Sequence, residues 1–350
     1  MNVCEKCFSD EYIKGLIKKQ GEIGECSCCG KKDKKIISTT VEELKDSFEA
    51  LLDMYIPIEN IEGYLSSDGE LLKTIIKNDW NIFNKKVPLP IIEKILRDIL
   101  PEREELYSKK VAILNSKEQQ KISILKNSTW QEFVKEIKGV NRFHTEIFSL
   151  ENFSYFLPGL SLELKKGKKL LRGRISTESG YNKDEMGAPP LEYATSGRIN
   201  PEGISSLYLA EDSETIFKEM RVLKNDFVTI GEFELKEDIT IVDLTRIDKL
   251  SPFFDLDQIL RYGTNQKHLR EIALEISRPQ NRYNNSLDYL PSQYIAEYIK
   301  SSGFDGLKYN STVKSGGINF AIFSKEKFEC NEVKVHKITD IHCHSENVEE

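Results

Sequence analysis

The spacing of apolar and polar residues changes character about 150 residues into the chain. Before that point it is helical. Val41, Leu44, Phe48, Leu51 and Leu52 recur three to four apart behind Thr40 and Glu43, predicting an amphipathic helix over "VEELKDSFEALLDMY" with a capping box. Similar spacing predicts helices over 70–83, 90–99, 104–125 and 128–139, the last capped by Ser128 or Thr129. From 151 onward, β-branched and aromatic runs predict strands at "KLLRGRIS" (169–176), "SLYLA" (206–210), "FVTIGEFEL" (227–235), "ITIVDLT" (239–245), "GLKYNS" (306–311) and "INFAIFS" (318–324). Helices at 212–224, 264–275 and 290–302 are interleaved with them.

The expected fold is therefore α+β. A cysteine-rich module at 1–35 leads into a helical domain at 36–150. A mixed or antiparallel β-sheet domain with flanking helices follows at 151–328, and then a polar tail at 329–350, of which 336–350 reads as frayed. A chain of 350 residues with 39% hydrophobic and 31% charged side chains suits two or three soluble domains.

The 50 basic and 57 acidic side chains leave a formal charge of −7, which argues against a nucleic-acid-coating role without excluding a local contact. "KKGKK" (165–169) is such a basic patch, and it reads as a solubilising turn with some pull on phosphates. No apolar run approaches the ~20 residues of a membrane span, and the N-terminus has no signal-like apolar core. The expectation is a cytoplasmic protein with no membrane contact.

Cysteine use changes the picture at the N-terminus. Five of the seven cysteines fall in the first 29 residues, and Cys4-x-x-Cys7 and Cys26-x-x-Cys29 form two knuckles 18 residues apart. That is the spacing of a tetrahedral structural zinc site, with Gly30 suited to the turn after the second knuckle. Cys28 is surplus and competes on paper with Cys26 or Cys29. A thioredoxin-like redox reading is weaker, because such a motif comes singly on a βα turn.

The second half holds polar residues that a core does not require. Arg172 and Arg174 alternate along one strand and so share a face, where a pair of guanidiniums can clamp a pyrophosphate. "GRINPEG" (197–203) is an ordered loop in which Arg198 and Asn200 stand between two glycines. Tyr208 lies on the strand face opposite Leu207 and Leu209. On the next helix Ile216, Met220 and Leu223 define the apolar face and Glu219 sits at its edge. Glu219 reads either as a boundary ion-pair partner of Arg221 or Lys224 or as a carboxylate aimed into a cleft. Ser311 ends a strand and Asn319 follows a glycine turn, positions that also suit plain strand ends and turns.

In their order and wording, "RGR", "GRINPEGISSLYLA", "ETIFKEMR", "YLPSQYIAEYIK" and "GFDGLKYNS…GGINFAIF" resemble the RES domain, named for its arginine, glutamate and serine. The likeness spans about residues 168–324. The cysteine-rich start and helical, HEPN-like region resemble the N-terminal half of a longer RES subgroup. Family members often carry an aromatic residue where this chain has Leu171, and proline where it has Asn310. HEPN ribonucleases pair an arginine with a histidine several residues later. Arg142 and His144 have the wrong spacing for that chemistry.

The resemblance implies an ADP-ribosyltransferase-like fold and a toxin that consumes NAD by breaking the nicotinamide N-glycosidic bond. It implies Arg172, Tyr208, Glu219 and Ser311 as catalytic residues, with Arg174 as the other candidate for the family arginine. Arg174, Arg198, Asn200, Gln293 and Asn319 are the implied substrate-binding residues. Water, phosphate or a macromolecule could be the acceptor, so the products range from ADP-ribose to a modified target. An inert zinc and helical binding protein is the opposing reading. An antitoxin or other regulatory protein is the implied partner, and an oligomer is compatible with the sequence.

Overall fold

The computed structural model describes residues 1–61, 69–113, 117–279 and 286–342. They divide into two compact units, one of residues 1–128, 147–152 and 246–270, the other of residues 129–146, 153–245 and 271–350. Among the described residues no helix is long and apolar enough to cross a membrane.

The first unit mixes helices with two small sheets. Strands β1 (Asn2–Cys4), β2 (Glu22–Gly24) and β3 (Lys34–Ser38) pair antiparallel in the order β1-β3-β2, with Val3 opposite Ile37. Helix α1 (Glu11–Gln20) sits between β1 and β2 in sequence and is capped by Asp10, which accepts from the Ile13 N–H at 2.9 Å. A second sheet holds β4 (Tyr55–Pro57), β5 (Glu70–Leu71) and β6 (Lys110–Ile113) in the order β4-β6-β5. Its helices are α2 (Glu42–Leu52), α3 (Leu72–Asn78), α4 (Leu89–Ile99), α5 (Glu104–Ser108) and α6 (Lys117–Ile122). Phe8, Phe48, Phe83 and Phe253 are buried together in its core, with ring centroids 5.1–6.2 Å apart in neighbouring pairs.

Three expectations for this region are corrected. The helix at 104–125 is two short helices separated by strand β6, with residues 114–116 outside the described set. Val111 explains the break: on β6 it is buried opposite Pro57, a pairing that periodicity alone does not reveal. The capping box ahead of α2 does not form. Val41 is the N-cap, while Thr40 bonds to Ser38 and Glu43 accepts from Gln20 at 2.7 Å. The mostly helical reading of 36–150 also omits the small sheet of β4, β5 and β6 that lies within it.

The second unit is built on one eight-stranded sheet. Its strands are β7 (Ser161–Leu164), β8 (Lys169–Ser176), β9 (Leu207–Ala210), β10 (Phe227–Leu235), β11 (Ile239–Asp243), β12 (Gly306–Asn310), β13 (Ile318–Ile322) and β14 (Phe328–Lys337), ordered β14-β10-β8-β9-β13-β12-β11-β7. Every pair is antiparallel except β11–β12, which is parallel, so the sheet is mixed as expected. Residues 329–337 correct the reading of a polar tail outside the sheet domain, since β14 pairs with β10 from Phe227↔Lys337 to Leu235↔Phe328. Its polar composition belongs to an edge strand, whose side chains stay in solvent. Residues 343–350 lie outside the described residues.

Alternation sends Leu170, Phe233 and Leu235 into an apolar layer on one face, and Val228 and Ile230 into a layer with Ile216 on the other. Helices α7 (Trp130–Gly139), α8 (Leu150–Ser154), α9 (Leu157–Leu160), α10 (Ser213–Met220), α11 (Ile259–Ser277) and α12 (Leu290–Ser301) complete the chain. The capping box of α7 is formed by Thr129 and Glu132, as its sequence predicts. Helix α10 ends earlier than its apolar spacing suggests, because Arg221 turns left-handed at φ 52°. Leu223 is consequently 62% exposed instead of buried.

Candidate active site

The sheet splits where the polar residues gather. Strands β8 and β9 are joined by one register pair, Leu171↔Ala210, and diverge beyond it. The opening is a cavity of about 380 Å³ with Arg172 and Gly173 on one wall and Tyr208 and Leu209 on the other. The Tyr208 carbonyl, freed from a sheet partner on that side, accepts from Arg172 Nη1 at 3.5 Å. Gly173 lets α10 close over the split. A Cβ there would stand 2.3 Å from Ile216 Cγ2 and 2.7 Å from Met220 Sδ.

Helix α10 carries Glu219 into the cavity wall. At its start, the Asp212 side chain caps the Thr215 N–H at 2.8 Å and accepts from Lys314 Nζ at 2.7 Å. In its last turn, Glu219 Oε1 accepts from Asn319 Nδ2 at 2.6 Å and from Ser311 Oγ at 2.8 Å. Gly317 permits this brace, since a Cβ on it would come within 3.0 Å of Ser311 Cβ and 2.9 Å of Thr215 Oγ1. Glu219 is therefore a cavity carboxylate held by two neutral donors.

The loop "GRINPEG" forms the roof and is held from several sides. Asn200 Nδ2 donates to the carbonyls of Thr195, Pro201 and Ile204, and Asn200 Oδ1 accepts from the Tyr208 hydroxyl at 2.6 Å. Gln293, in the first turns of α12, donates to Gly197 O at 2.7 Å and lies 3.0 Å from both Asn200 O and Ser196 Oγ. Ser292 Oγ donates to Arg198 O at 2.6 Å. The loop thereby presents the Arg198 guanidinium to the cavity, over the Tyr309 ring at 5.8 Å.

The electrostatics are uneven. Arg198 is buried and Arg172 half-buried, each reaches one backbone carbonyl, and the Nε of each is buried with no hydrogen-bond partner. Neither forms an ion pair among the described residues. Burial, reinforced by nearby Arg174, pulls the Arg172 guanidinium down to about 10, which leaves it charged at neutral pH. Buried cations without counter-charges are costly unless an anion completes them. Burial also pushes the Tyr208 hydroxyl up, and the Tyr309 hydroxyl up to about 12, so both stay neutral donors.

Of the residues singled out in the sequence, Arg172, Arg198, Asn200, Tyr208, Glu219 and Asn319 line one cavity. Ser311 and Gln293 stand behind it, holding Glu219 and the loop. Arg174 lies outside the lining, with its guanidinium 4.2 Å over the Tyr181 ring and bonded to Glu185 O. Tyr309 was missed; its signal is the strand alternation that places it, like Leu307, on the buried face of β12. Ser292 was missed as well, since nothing in its neighbourhood marks a clamp on a distant loop.

Residues 173–344 match the RES domain. Arg172 stands one residue before the matched span, while the other cavity residues named above fall inside it. No curated protein sequence matches this chain. Among solved structures, a chain titled as part of the M. tuberculosis MbcT–MbcA toxin–antitoxin complex aligns at 9% identity, over 55% of this chain and 94% of that one. Its TM-score is 0.32, a likeness too loose to carry an argument. The RES match and the mixed sheet stand without it.

The other cluster of chemistry is at the N-terminus. The thiols of Cys4, Cys7, Cys26 and Cys29 lie within 4.8 Å of one another. Cys4 and Cys7 are 3.9 Å apart, Cys4 and Cys29 3.7 Å, and Cys7 and Cys26 3.6 Å. Four sulfurs at ~2.3 Å around a tetrahedral zinc would be about 3.8 Å apart, so this donor set fits that ion. The group contains Cys29 and not Cys28. Gly30, at φ 66°, donates to Cys26 O at 2.9 Å and closes the second knuckle.

Proposed function

We propose that the RES region is an NAD-degrading enzyme of the toxin or defence type, cleaving the nicotinamide N-glycosidic bond. The observation that carries this reading is one cavity holding the buried Arg198 and the half-buried Arg172, neither ion-paired among the described residues, and a single carboxylate braced by two neutral donors. Arg172 and Arg198 suit the diphosphate, whereas Arg174 stands outside the cavity lining. Cleavage places positive charge on the ribose in an oxocarbenium-like state. Glu219 would hydrogen-bond the 2′-hydroxyl and stabilise that charge. Ser311 and Asn319 keep its carboxylate in line. Tyr208 would cover the nicotinamide or ribose, its hydroxyl fixed by Asn200.

The acceptor is open to water or phosphate, and transfer to a protein or nucleic acid is the alternative outcome. An antitoxin or other regulatory protein would be the partner that restrains the site. Zinc held by Cys4, Cys7, Cys26 and Cys29 would cross-link β1 to the turn after β2 and act structurally.

Incubating the full chain with NAD, with and without phosphate, and measuring nicotinamide release tests the reading. Turnover should fall about 10²–10³-fold in Glu219→Gln and strongly in Arg172→Gln, the scale expected for losing a preorganised charge contact. No release with water, phosphate or a lysate as acceptor would reduce the chain to the binding-protein alternative.

A further inference from the structure

We propose that Arg174 and Tyr181 form a stacking platform for the adenine base at the outer end of the cleft. The inference rests on the NAD reading, and names the part of the substrate that the cavity itself leaves unassigned. Arg172 lines the cavity and Arg174 does not, although alternation puts both on one face of β8. Two residues of extended strand separate them by about 7 Å. In the proposed pose, a phosphate at Arg172 has its attached nucleoside running outward along this strand.

The platform is built and held. The Arg174 guanidinium lies 4.2 Å from the Tyr181 ring centroid, and one of its N–H groups is fixed on Glu185 O. No carboxylate pairs with Arg174 among the described residues. The Tyr181 N–H donates to Thr229 Oγ1 at 3.1 Å, and that hydroxyl donates to Ser176 Oγ at 2.9 Å. The preceding Gly180 has φ +71°, and a Cβ on it would meet Val335 Cγ2 at 2.3 Å, so the turn into Tyr181 is restricted to glycine. Both stacked side chains remain partly exposed. A cationic plane laid on a phenol ring, with surface left over, accepts a third flat, electron-rich group.

Titration calorimetry on the full chain tests this with two probes, ADP-ribose and ribose 5-phosphate, the second lacking the base. Tyr181→Ala should weaken ADP-ribose about tenfold, the effect of losing one base–aromatic stack. It should leave ribose 5-phosphate unchanged, and Tyr181→Trp should restore the loss. Arg174→Gln should show the same selectivity. The platform is overturned by unchanged affinity, by equal losses for both probes, or by a wild type that prefers neither. Nicotinamide release is measured in parallel. NAD cleavage with Tyr181→Ala binding intact removes the platform alone, whereas selective stacking without any cleavage removes the catalytic reading alone.

Discussion

Replacing Asn319 by aspartate turns a brace of Glu219 into a competitor. The native amide donates to Glu219 Oε1 at 2.6 Å from a site only 7% exposed. A carboxyl of the same shape has no N–H to offer, and two carboxylate charges about 4 Å apart repel by about 4 kcal/mol at an effective dielectric near 20. That corresponds to about three pH units, moving the introduced carboxyl from near 3.9 to about 7. Because its folded-state value is raised, the variant should match the wild type near pH 4. It should lose relative stability as pH rises from about 4 to about 7, and stay about 4 kcal/mol below the wild type above pH 8. At about 2–4 °C per kcal/mol, the melting temperature at pH 8.5 should drop by about 8–16 °C. Thermal unfolding of both proteins across pH 4–9 reads this directly. Nicotinamide release should follow the same course, because below pH 6 the protonated carboxyl donates as the amide did. Equal melting at pH 8.5, or matching pH profiles, refutes the claim that the Asn319 amide braces Glu219.

Gln293→Leu leaves Gly197 O without a donor while Asn200 O keeps the Gly197 N–H at 2.9 Å. The expected cost is about 1–3 kcal/mol in unfolding free energy, together with weaker ADP-ribose binding in calorimetry as Arg198 loses its support. Gly197→Ala drives a Cβ to 2.8 Å from Asn200 Oδ1 and 3.0 Å from the Tyr208 hydroxyl. It should separate those two groups and lower the melting temperature, and wild-type melting would contradict the packing described. Metal analysis should find about one zinc per chain, and chelation should lower the melting of the N-terminal unit, while unaltered melting after metal loss contradicts a structural ion.

Legibility differed between the two halves. Strands β8 and β10 appear with the bounds their alternation predicts, and α4 and the Thr129 cap follow local rules. Strand β6 did not, because four residues between helical runs carry too little pattern to outvote their neighbours. Strand β14 was misread because an edge strand keeps polar side chains and owes its existence to the β10 ladder. Helix α10 stopped early at a residue whose left-handed backbone no side chain announced.

The sequence by itself determined the α+β class, the two cysteine knuckles, the alternation of Arg172 with Arg174, and the polar residues that a core did not require. These are local facts, set by periods of two and 3.6 residues and by short spacings along the chain. Only the tertiary structure decided which of them meet. The split between β8 and β9 puts Arg172 in the cavity and leaves Arg174 outside it. Contacts between residues some 90 to 100 positions apart make Ser311, Asn319 and Gln293 supports. Whether a polar residue touches a ligand or holds another residue depends on strand order and helix placement, and no local spacing carries that information.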